Sequence, residues 1–453
     1  MDVLHVIHQF PPESRGGSES YLLDVAQRQR ARGLDAQVLT GTMHARPAVI
    51  LDPAEDVEGI PVHRLHRNDL YFDHHAKMWH PEVEQMVADR LAAWRPKLLH
   101  IHHWVRLTCN LAEIATRFDI PVVITLHDYY TSCPRAFRRR LGNAIEDLSC
   151  RRVLSAASCS SCVPVYGHEP AHELGDGVEL FADHFRAEVS LARAALVAVS
   201  STADLLAEMT GMPRNRYEVL PLGYHPRFHG MPRLAPPRAG EPLRFAFWGT
   251  IGRHKGVDVL LHAFRKVAER RPGEAELHVL GQADSEKFDG ELRPLGAGLP
   301  VTFHGPFDAA TLHATAPHVG VFPSTCIETY GLVLDECFEL GRPCITSDLG
   351  AVAERGAAAG LASRAGDAES LAAAMLRFVD EPDLWPGLAA KVPPLALNRD
   401  EHLERLLAIY ERARTGPAHA PAFASVPPLR RIMFLQKQRE TALDRIRDHE
   451  GPV

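Results

Sequence analysis

The 453 residues predict an α/β protein of two doubly wound domains, and three observations carry that prediction. Short apolar runs alternate with helix-period stretches almost throughout, the pattern of parallel sheets covered by helices. The length suffices for two or three domains, each able to bury a core. Around 226–242 the composition turns to Pro, Arg and Gly, which marks a joint between two such series.

In the first series the predicted strands are 3–7, 35–39, 98–102, 121–126, 195–199 and 218–220. Helices are predicted at 19–32, 80–94 and 107–118. These make a domain over 1–228, followed by a linker at 229–242. The second series has strands at 243–248, 276–280, 301–304, 319–322 and 343–346 and makes a domain over 243–395. Doubly wound sheets bind ligands at the carboxyl ends of their strands, so two such Rossmann-like domains are expected to face a cleft. Residues 401–413 carry a strong helix period inside an expected helix at 396–416. A Pro/Ala linker over 417–428 then leads into a charged helix at 430–449. Leu429, Ile432, Met433 and Leu435 give that helix an apolar side, and Glu440, Asp444 and Asp448 dilute its basic side. Packing on the body or on a partner is favoured over a membrane surface.

Composition excludes several classes. Apolar content of 45% and charged content of 24% are those of a soluble globular chain. A net charge of −7 argues against general nucleic-acid binding. No run of about 18 apolar residues is present, so no membrane-spanning helix is expected. The opening Asp2-Val3-Leu4-His5-Val6-Ile7-His8 reads as a strand rather than a signal peptide. A cytoplasmic location follows, where eight cysteines are expected as thiols.

The most informative stretch lies between Pro323 and Pro343. Gly341 and Pro343 supply a helix stop, and the helix is expected to open near Gly331. Backbone N–H groups at Tyr330, Gly331 and Leu332 then form an anion site, which Gly331 lets a phosphate approach closely. Glu336 lies one turn inside and leans back toward that start, while Glu328 lies just before it. An anion flanked by two hydroxyl-accepting carboxylates describes a sugar nucleotide. The bland alternative is an ordinary amphipathic helix with two solvated glutamates.

Glu-x7-Glu followed by Gly-Arg-Pro resembles the donor-site motif of family-4 retaining glycosyltransferases of the GT-B fold. The resemblance implies that Glu336 holds the ribose hydroxyls and Glu328 contacts the transferred sugar. It implies a terminal helix that crosses back to the first domain. The segment Gly249-Thr250-Ile251-Gly252-Arg253-His254-Lys255-Gly256 resembles the family's Gly-Arg-x4-Lys-Gly loop. Lys255 fits the cation that stabilises the leaving diphosphate. Thr250 stands where the family has arginine, and Arg253 is the candidate replacement. His304 and Gly305 resemble the loop that lines the nucleobase.

In the first domain, Gly16 and Gly17 precede a helix and by the resemblance lie over the donor diphosphate. They are not a Gly-x-Gly-x-x-Gly fingerprint, and no acidic residue ends the second strand, which disfavours a dehydrogenase. His127, with Asp128 beside it, ends a strand where the family often has a histidine near the reacting sugar. It is expected to hydrogen-bond that sugar or to help manage the acceptor proton. His102 and His103 lie at a similar strand end and rank lower.

Cys133, Cys150, Cys159 and Cys162 fall within an expected Cys-rich insertion at 133–165, spaced Cys-x16-Cys-x8-Cys-x2-Cys. Four thiolates suit structural zinc or a [4Fe–4S] cluster; the plain alternative is a loop of unlinked thiols. Cys109, Cys326, Cys337 and Cys344 read as core. The insertion also carries Arg135, Arg138, Arg139, Arg140, Arg151 and Arg152, which could hold a phosphorylated or lipid-linked acceptor or touch anionic lipid at the inner face of a membrane.

The expected function is therefore retaining transfer of a sugar from a nucleoside-diphosphate donor to a hydroxyl acceptor, with no catalytic cofactor. Polysaccharide, glycolipid or natural-product glycoside synthesis are the settings it fits. The rivals are a GT-B epimerase or phosphorylase, and a non-catalytic nucleotide-sugar or redox-sensing module.

Overall fold

The computed structural model describes residues 1–69, 78–140, 147–163, 171–395, 397–416 and 421–450. Contacts divide the chain into two units: Met1–Phe137, Arg151–Pro221 and Asp400–Val453 form the first, and Arg138–Cys150 and Leu222–Arg399 the second. Of the expected insertion, 141–146 and 164–165 lie outside the described residues. So do 396, 417–420 and 451–453, and the side chains of Asp444 and Asp448.

The first unit's strands are β1 (Val3–Ile7), β2 (Ala36–Gly41), β3 (Ile50–Leu51), β4 (Glu55–Val57), β5 (Ile60–His66), β6 (Leu99–Ile101), β7 (Val122–Thr125), β8 (Ala194–Val197) and β9 (Tyr217–Val219). They lie in the order β3-β5-β2-β1-β6-β7-β8-β9, with β4 also on β5. Among the described strands, only β3 and β4 pair antiparallel. Around them are α1 (Gly17–Ala31), α2 (Pro81–Trp94), α3 (Leu111–Thr116), α4 (Ala156–Cys159), α5 (Ala171–Leu191) and α6 (Ser200–Thr210). Every residue of β1 is buried, as expected of a central parallel strand covered on both faces. Ile7, Phe10, Leu22, Leu23, Ala26 and Val38 form the core beneath α1. The sheet grows from β1 one way through β2 and the other way through β6. That reversal is a topological switch point, where carboxyl strand ends open a ligand crevice.

The second unit's strands are β10 (Leu243–Trp248), β11 (Ala275–Leu280), β12 (Val301–Gly305), β13 (Val319–Phe322), β14 (Cys344–Ser347) and β15 (Gly360–Ser363). All pair parallel, in the order β12-β11-β10-β13-β14-β15, so the switch point lies between β10 and β13. Helices α7 (Val257–Arg270), α8 (Glu286–Leu295), α9 (Ala309–Ala314), α10 (Val333–Glu339), α11 (Gly350–Gly356), α12 (Ala368–Asp380) and α13 (Leu384–Ala389) complete it. Period-2 alternation sends Phe245 and Phe247 to the core under α7 and α12, and Ala246 and Trp248 to the opposite core with α10. Phe245 and Phe247 each contribute about 1.5–3 kcal/mol by leaving water.

The residues expected as a linker, 229–242, belong to the second unit. Phe228, Met231 and Leu234 pack into its core, and Arg342 donates to the Ala235 carbonyl at 2.8 Å, so Pro-rich composition here marks a packed strap.

The last helices are α14 (Arg399–Thr415) and α15 (Pro428–Glu450). From Asp400 onward α14 belongs to the first unit, with Arg28 donating to Asp400 at 2.6 Å and Tyr21 bonded to His402 at 2.8 Å. Helix α15 packs through Phe434 on Trp79, and through Arg431, which lies 5.3 Å over that ring and pairs with Glu113. Leu429, Ile432 and Met433, its apolar side in the sequence, are instead exposed. No described helix is long and apolar enough to cross a membrane.

Candidate active site

In the second unit, the loops after β10 and β13 meet at the switch point. After Trp248 the chain turns through Gly249, exposed Thr250 and a short 3-10 turn at 253–255, then enters α7 at Gly256. Gly256 has φ +70°, and a Cβ there would overlap the Pro323 carbonyl oxygen. Glycine thus permits the two loops to touch. Thr325 N–H donates to the His254 carbonyl at 2.8 Å, and Thr325 Oγ1 to the Arg253 carbonyl at 3.0 Å.

This contact brings Lys255 Nζ to 2.6 Å from Glu328 Oε1, which also accepts from Ser324 Oγ at 2.8 Å. Burial disfavours both charges, but each is held by the other: the Lys255 pKa is raised and that of Glu328 lowered. The two residues drawn from separate motifs are therefore one ion pair. Arg253 does not join it. Its guanidinium pairs with Glu291 and lies 4.6 Å over the Phe288 ring.

Helix α10 begins at Val333, two residues later than expected. Gly331 takes φ +77°, outside the helical region, and a Cβ there would lie 2.7 Å from Val352. Tyr330, Gly331 and exposed Leu332 therefore form a turn ahead of the helix. Arg355 clamps that turn, donating to the carbonyls of Tyr330 at 3.1 Å and Gly331 at 2.9 Å, stacking 3.8 Å over the Tyr330 ring and pairing with Asp335. Burial still pushes the Asp335 carboxyl up to about 6.

Glu336 is buried, accepts from Trp248 Nε1 at 2.7 Å and pairs with Arg227. Glu339, one turn on, accepts from Tyr224 OH at 2.6 Å and from the N–H groups of Arg227 and Phe228. A carboxylate offers about four lone-pair directions, so Glu336 keeps capacity for a further donor. Arg227, Trp248 and Arg355 are not among the site residues expected from the sequence. Trp248 had a signal, the last position of a strand at the switch point; the arginines had none.

His304 ends apart from this pair. Its ring bonds to His278 at 3.0 Å and lines an 820 Å³ cavity with Arg244, Glu276 and Thr311. Gly305, with φ +72°, closes β12 and its carbonyl accepts from Gly281 N–H at 2.8 Å.

In the first unit, the carboxyl ends of β1, β6 and β7 gather a second polar cluster. Gly16 caps α1, and a Cβ there would lie 2.6 Å from Glu19 Oε2, whereas Gly17 faces open space. Glu19, a residue the sequence reading passed over, is buried beneath the loop. It accepts from Gln9 at 2.7 Å, Ser14 at 3.1 Å and Ser18 at 2.9 Å. Its place three residues after the cap is the capping-box position, which was the available signal.

His127 Nε2 lies 3.0 Å from His102 Nδ1, and His103 donates to Asp128 at 3.1 Å. Burial pushes His127 down to about 4, so it is neutral near pH 7. His102 and His103, ranked lower in the sequence, belong to the same cluster.

Among the described residues, one group of three potential metal ligands converges, with donor atoms within 4.8 Å: His5, His100 and His102. Cys133, Cys150, Cys159 and Cys162 do not form such a group, and none of the eight cysteines is in a disulfide. Cys109, Cys326, Cys337 and Cys344 are buried, as expected of core thiols. Arginines of the insertion are engaged by the protein itself. Arg135 donates to the Cys162 carbonyl, Arg138 to that of Cys150, Arg140 pairs with Asp147 and Arg151 with Glu208.

Two family models match the chain: a "Glycosyl transferase 4-like domain" over residues 16–164, and "Glycosyl transferases group 1" over residues 242–381. D-inositol 3-phosphate glycosyltransferase of Nocardiopsis dassonvillei is 26% identical over 442 residues, 90% of this chain and 92% of that protein. Phosphatidyl-myo-inositol mannosyltransferase of Mycobacterium tuberculosis is 33% identical over 121 residues, 25% of this chain and 30% of that protein. The solved structure of Anabaena HepE with UDP and glucose aligns at a TM-score of 0.57 and 16% identity, covering 91% of this chain and 99% of that one.

Proposed function

Starting from a glycosyltransferase of the GT-B fold, built of a 4-like domain followed by a group 1 domain, we propose that it transfers a sugar with retention from a nucleoside-diphosphate donor to the hydroxyl of a phosphorylated acceptor. The observation that carries the reading is the Lys255–Glu328 pair at the second switch point, one loop away from Glu336. Lys255 has three N–H donors; one holds Glu328, and the others are available in kind to a diphosphate oxygen. Its charge then stabilises the leaving group as negative charge develops. Glu328 accepts from a hydroxyl of the transferred sugar, and Glu336 from the ribose, sharing its carboxylate with Trp248. The turn at Tyr330, Gly331 and Leu332 presents backbone N–H groups to the diphosphate.

In the first unit, Gly16 and Gly17 give the diphosphate close backbone approach, and His127 meets the reacting sugar. Arg253 and Thr250 take at most a peripheral part, since Arg253 is held by Glu291. Gly305 supplies backbone to the base, with His304 beside it. The phosphorylated acceptor is supported by the names of the two relatives, each of which carries a phosphate-bearing inositol. Zinc or a [4Fe–4S] cluster on Cys133, Cys150, Cys159 and Cys162 is a proposal that rests on spacing alone. Metal content and a visible spectrum of the purified protein test it.

The test of function is turnover of UDP-, GDP- and ADP-sugars with inositol phosphates and other polyol phosphates, with product anomers assigned by NMR. Retained configuration, with loss of at least about 100-fold in Lys255→Ala and Glu328→Ala, is expected for groups acting on the transition state. Inverted product sinks the retaining mechanism. Activity surviving both substitutions sinks the site.

A further inference from the structure

We infer that a buried hydrogen-bond chain from Gln29 through His5 and His102 sets the tautomer of His127, fixing Nε2 as its N–H and Nδ1 as its acceptor nitrogen. Every link lies in the first unit. His5 on β1 stands in register with His100 on β6, and both face α1 and α14. His5 Nε2 is 2.8 Å from Gln29 Oε1, and His5 Nδ1 is 3.1 Å from His102 Nε2. His102 Nδ1 is in turn 3.0 Å from His127 Nε2. Gln29 and the rings of His5, His100 and His102 are at most 1% exposed, so water cannot satisfy an unmatched donor or acceptor here.

A neutral imidazole has one donor and one acceptor nitrogen, so each ring passes the polarity it receives to the next. The Gln29 amide starts the sequence, because its nitrogen is directed at Tyr410 OH and its oxygen at His5. Its oxygen takes the His5 Nε2 hydrogen. His5 Nδ1 must then accept, which requires the hydrogen of His102 on Nε2. His102 Nδ1 accepts in its turn, which requires the hydrogen of His127 on Nε2.

The other arm closes without conflict. Gln29 Nε2 donates to Tyr410 OH at 3.3 Å, Tyr410 donates to His100 Nδ1 at 2.6 Å, and His100 Nε2 donates to Thr125 Oγ1 at 2.8 Å. Each of these groups has a partner of the right kind, so the three converging histidines read as a hydrogen-bond chain and not as a metal cage. Burial supports the neutral state, pushing His5 and His127 down to about 4 and His100 and His102 well below the usual range.

The consequence rests on the proposed contact between His127 and the transferred sugar. With Nδ1 as its acceptor, His127 receives a hydrogen bond from a sugar hydroxyl and does not donate one. Gln29, His5 and His102 are positioning residues, acting only through His127.

The experiment uses the full chain labelled with 15N-histidine, and long-range 1H–15N spectra that distinguish the two neutral tautomers. His127 is assigned by subtraction of the His127→Asn spectrum. The wild type is expected to show His127 protonated at Nε2. Gln29→Met, near in volume but without the amide, is expected to convert that signal to a mixture. It should lower kcat about tenfold, the low end for outer-sphere partners, with the donor KM within about twofold. Gln29→Glu keeps an acceptor facing His5 and is expected to retain the tautomer.

A wild-type signal from Nδ1–H overturns the assignment, and that spectrum needs no variant to fold. An unchanged signal in Gln29→Met overturns the coupling. A changed signal with unchanged kcat upholds the chain and overturns the sugar contact of His127.

Discussion

Replacing Gly256 with alanine tests whether the close approach of two loops creates the Lys255–Glu328 pair. An L-residue at φ +70° costs roughly 1–2 kcal/mol in local strain. The new Cβ would also overlap the Pro323 carbonyl oxygen and lie 3.2 Å from Thr325 Cγ2, so the loop after β13 must move. Forced repacking of this kind costs about 1–3 kcal/mol. Together these give a loss of roughly 2–5 kcal/mol, and at about 2–4 °C per kcal/mol for a unit of this size, a fall in Tm of about 4–20 °C. Gly273→Ala is the control, because Gly273 has φ +77° and nothing within 4 Å of its would-be Cβ. It should show the strain alone, about 2–8 °C by the same conversion. Calorimetry follows the second unit's transition, and donor turnover is measured below it. Gly256→Ala should lose at least about tenfold in kcat/KM through displaced Lys255, while Gly273→Ala stays within about twofold. Equal Tm shifts with unimpaired turnover in both variants would refute the claim that this contact shapes the site.

Lys255→Met should destabilise more than the Lys255→Met/Glu328→Gln double variant, because the single change strands a half-buried carboxylate, a loss below the about 3–5 kcal/mol of a fully buried pair. The pair's stabilising window follows from its two shifts. Glu328, with lowered pKa, contributes above the ordinary carboxylate range and loses that contribution as pH falls through its folded value. Lys255, with raised pKa, contributes below the ordinary lysine value and loses it as pH rises through the folded one. Tm measured against pH in wild type and Glu328→Gln checks both limbs, and a flat difference between them contradicts the pairing. The buried histidines set a separate acid limit. His5 and His127 titrate near 4 when folded and near 6.5 when unfolded, so the unfolded chain binds more protons between those values. Stability should fall as pH drops from 6.5 toward 4, by about 1.4 kcal/mol per pH unit for each group. Urea unfolding of His127→Asn should show a slope shallower by one such step.

What the sequence made readable was local. Lys255 and Glu328 each sit in a short string whose glycines, prolines and strand-helix change announce a loop at a carboxyl strand end. The strands were found because buried parallel strands are continuous apolar runs. The sequence places the helix after Glu328 two residues early, since Gly331 reads as permissive and only its φ of +77° shows it still outside the helix. Residues 229–242 look like a tether by composition but partly bury Met231 and Leu234 against a surface built by α10 and β14. Arg227 reaches Glu336 across 109 residues, and His102 reaches His5 across 97. Such partners are chosen by strand register and sheet order, which no window of sequence contains.

The preformed pair also constrains how a donor can bind. Glu328 places a negative charge 2.6 Å from the ammonium proposed to receive a diphosphate, so a nucleoside diphosphate alone meets attraction from Lys255 and repulsion from Glu328 together. A complete sugar nucleotide brings hydroxyl donors that satisfy Glu328 and lets Lys255 turn toward phosphate, so its sugar contributes to binding indirectly as well as by contact. Glu328→Gln removes the repulsion and the strong acceptor at once. It should therefore bind the bare nucleoside diphosphate more tightly than wild type does, while turning over the sugar nucleotide more slowly. Calorimetric titration against kcat/KM separates these effects. Weaker binding of both ligands would mean that Glu328 only holds Lys255 in place, and the sugar contact would have to be assigned elsewhere.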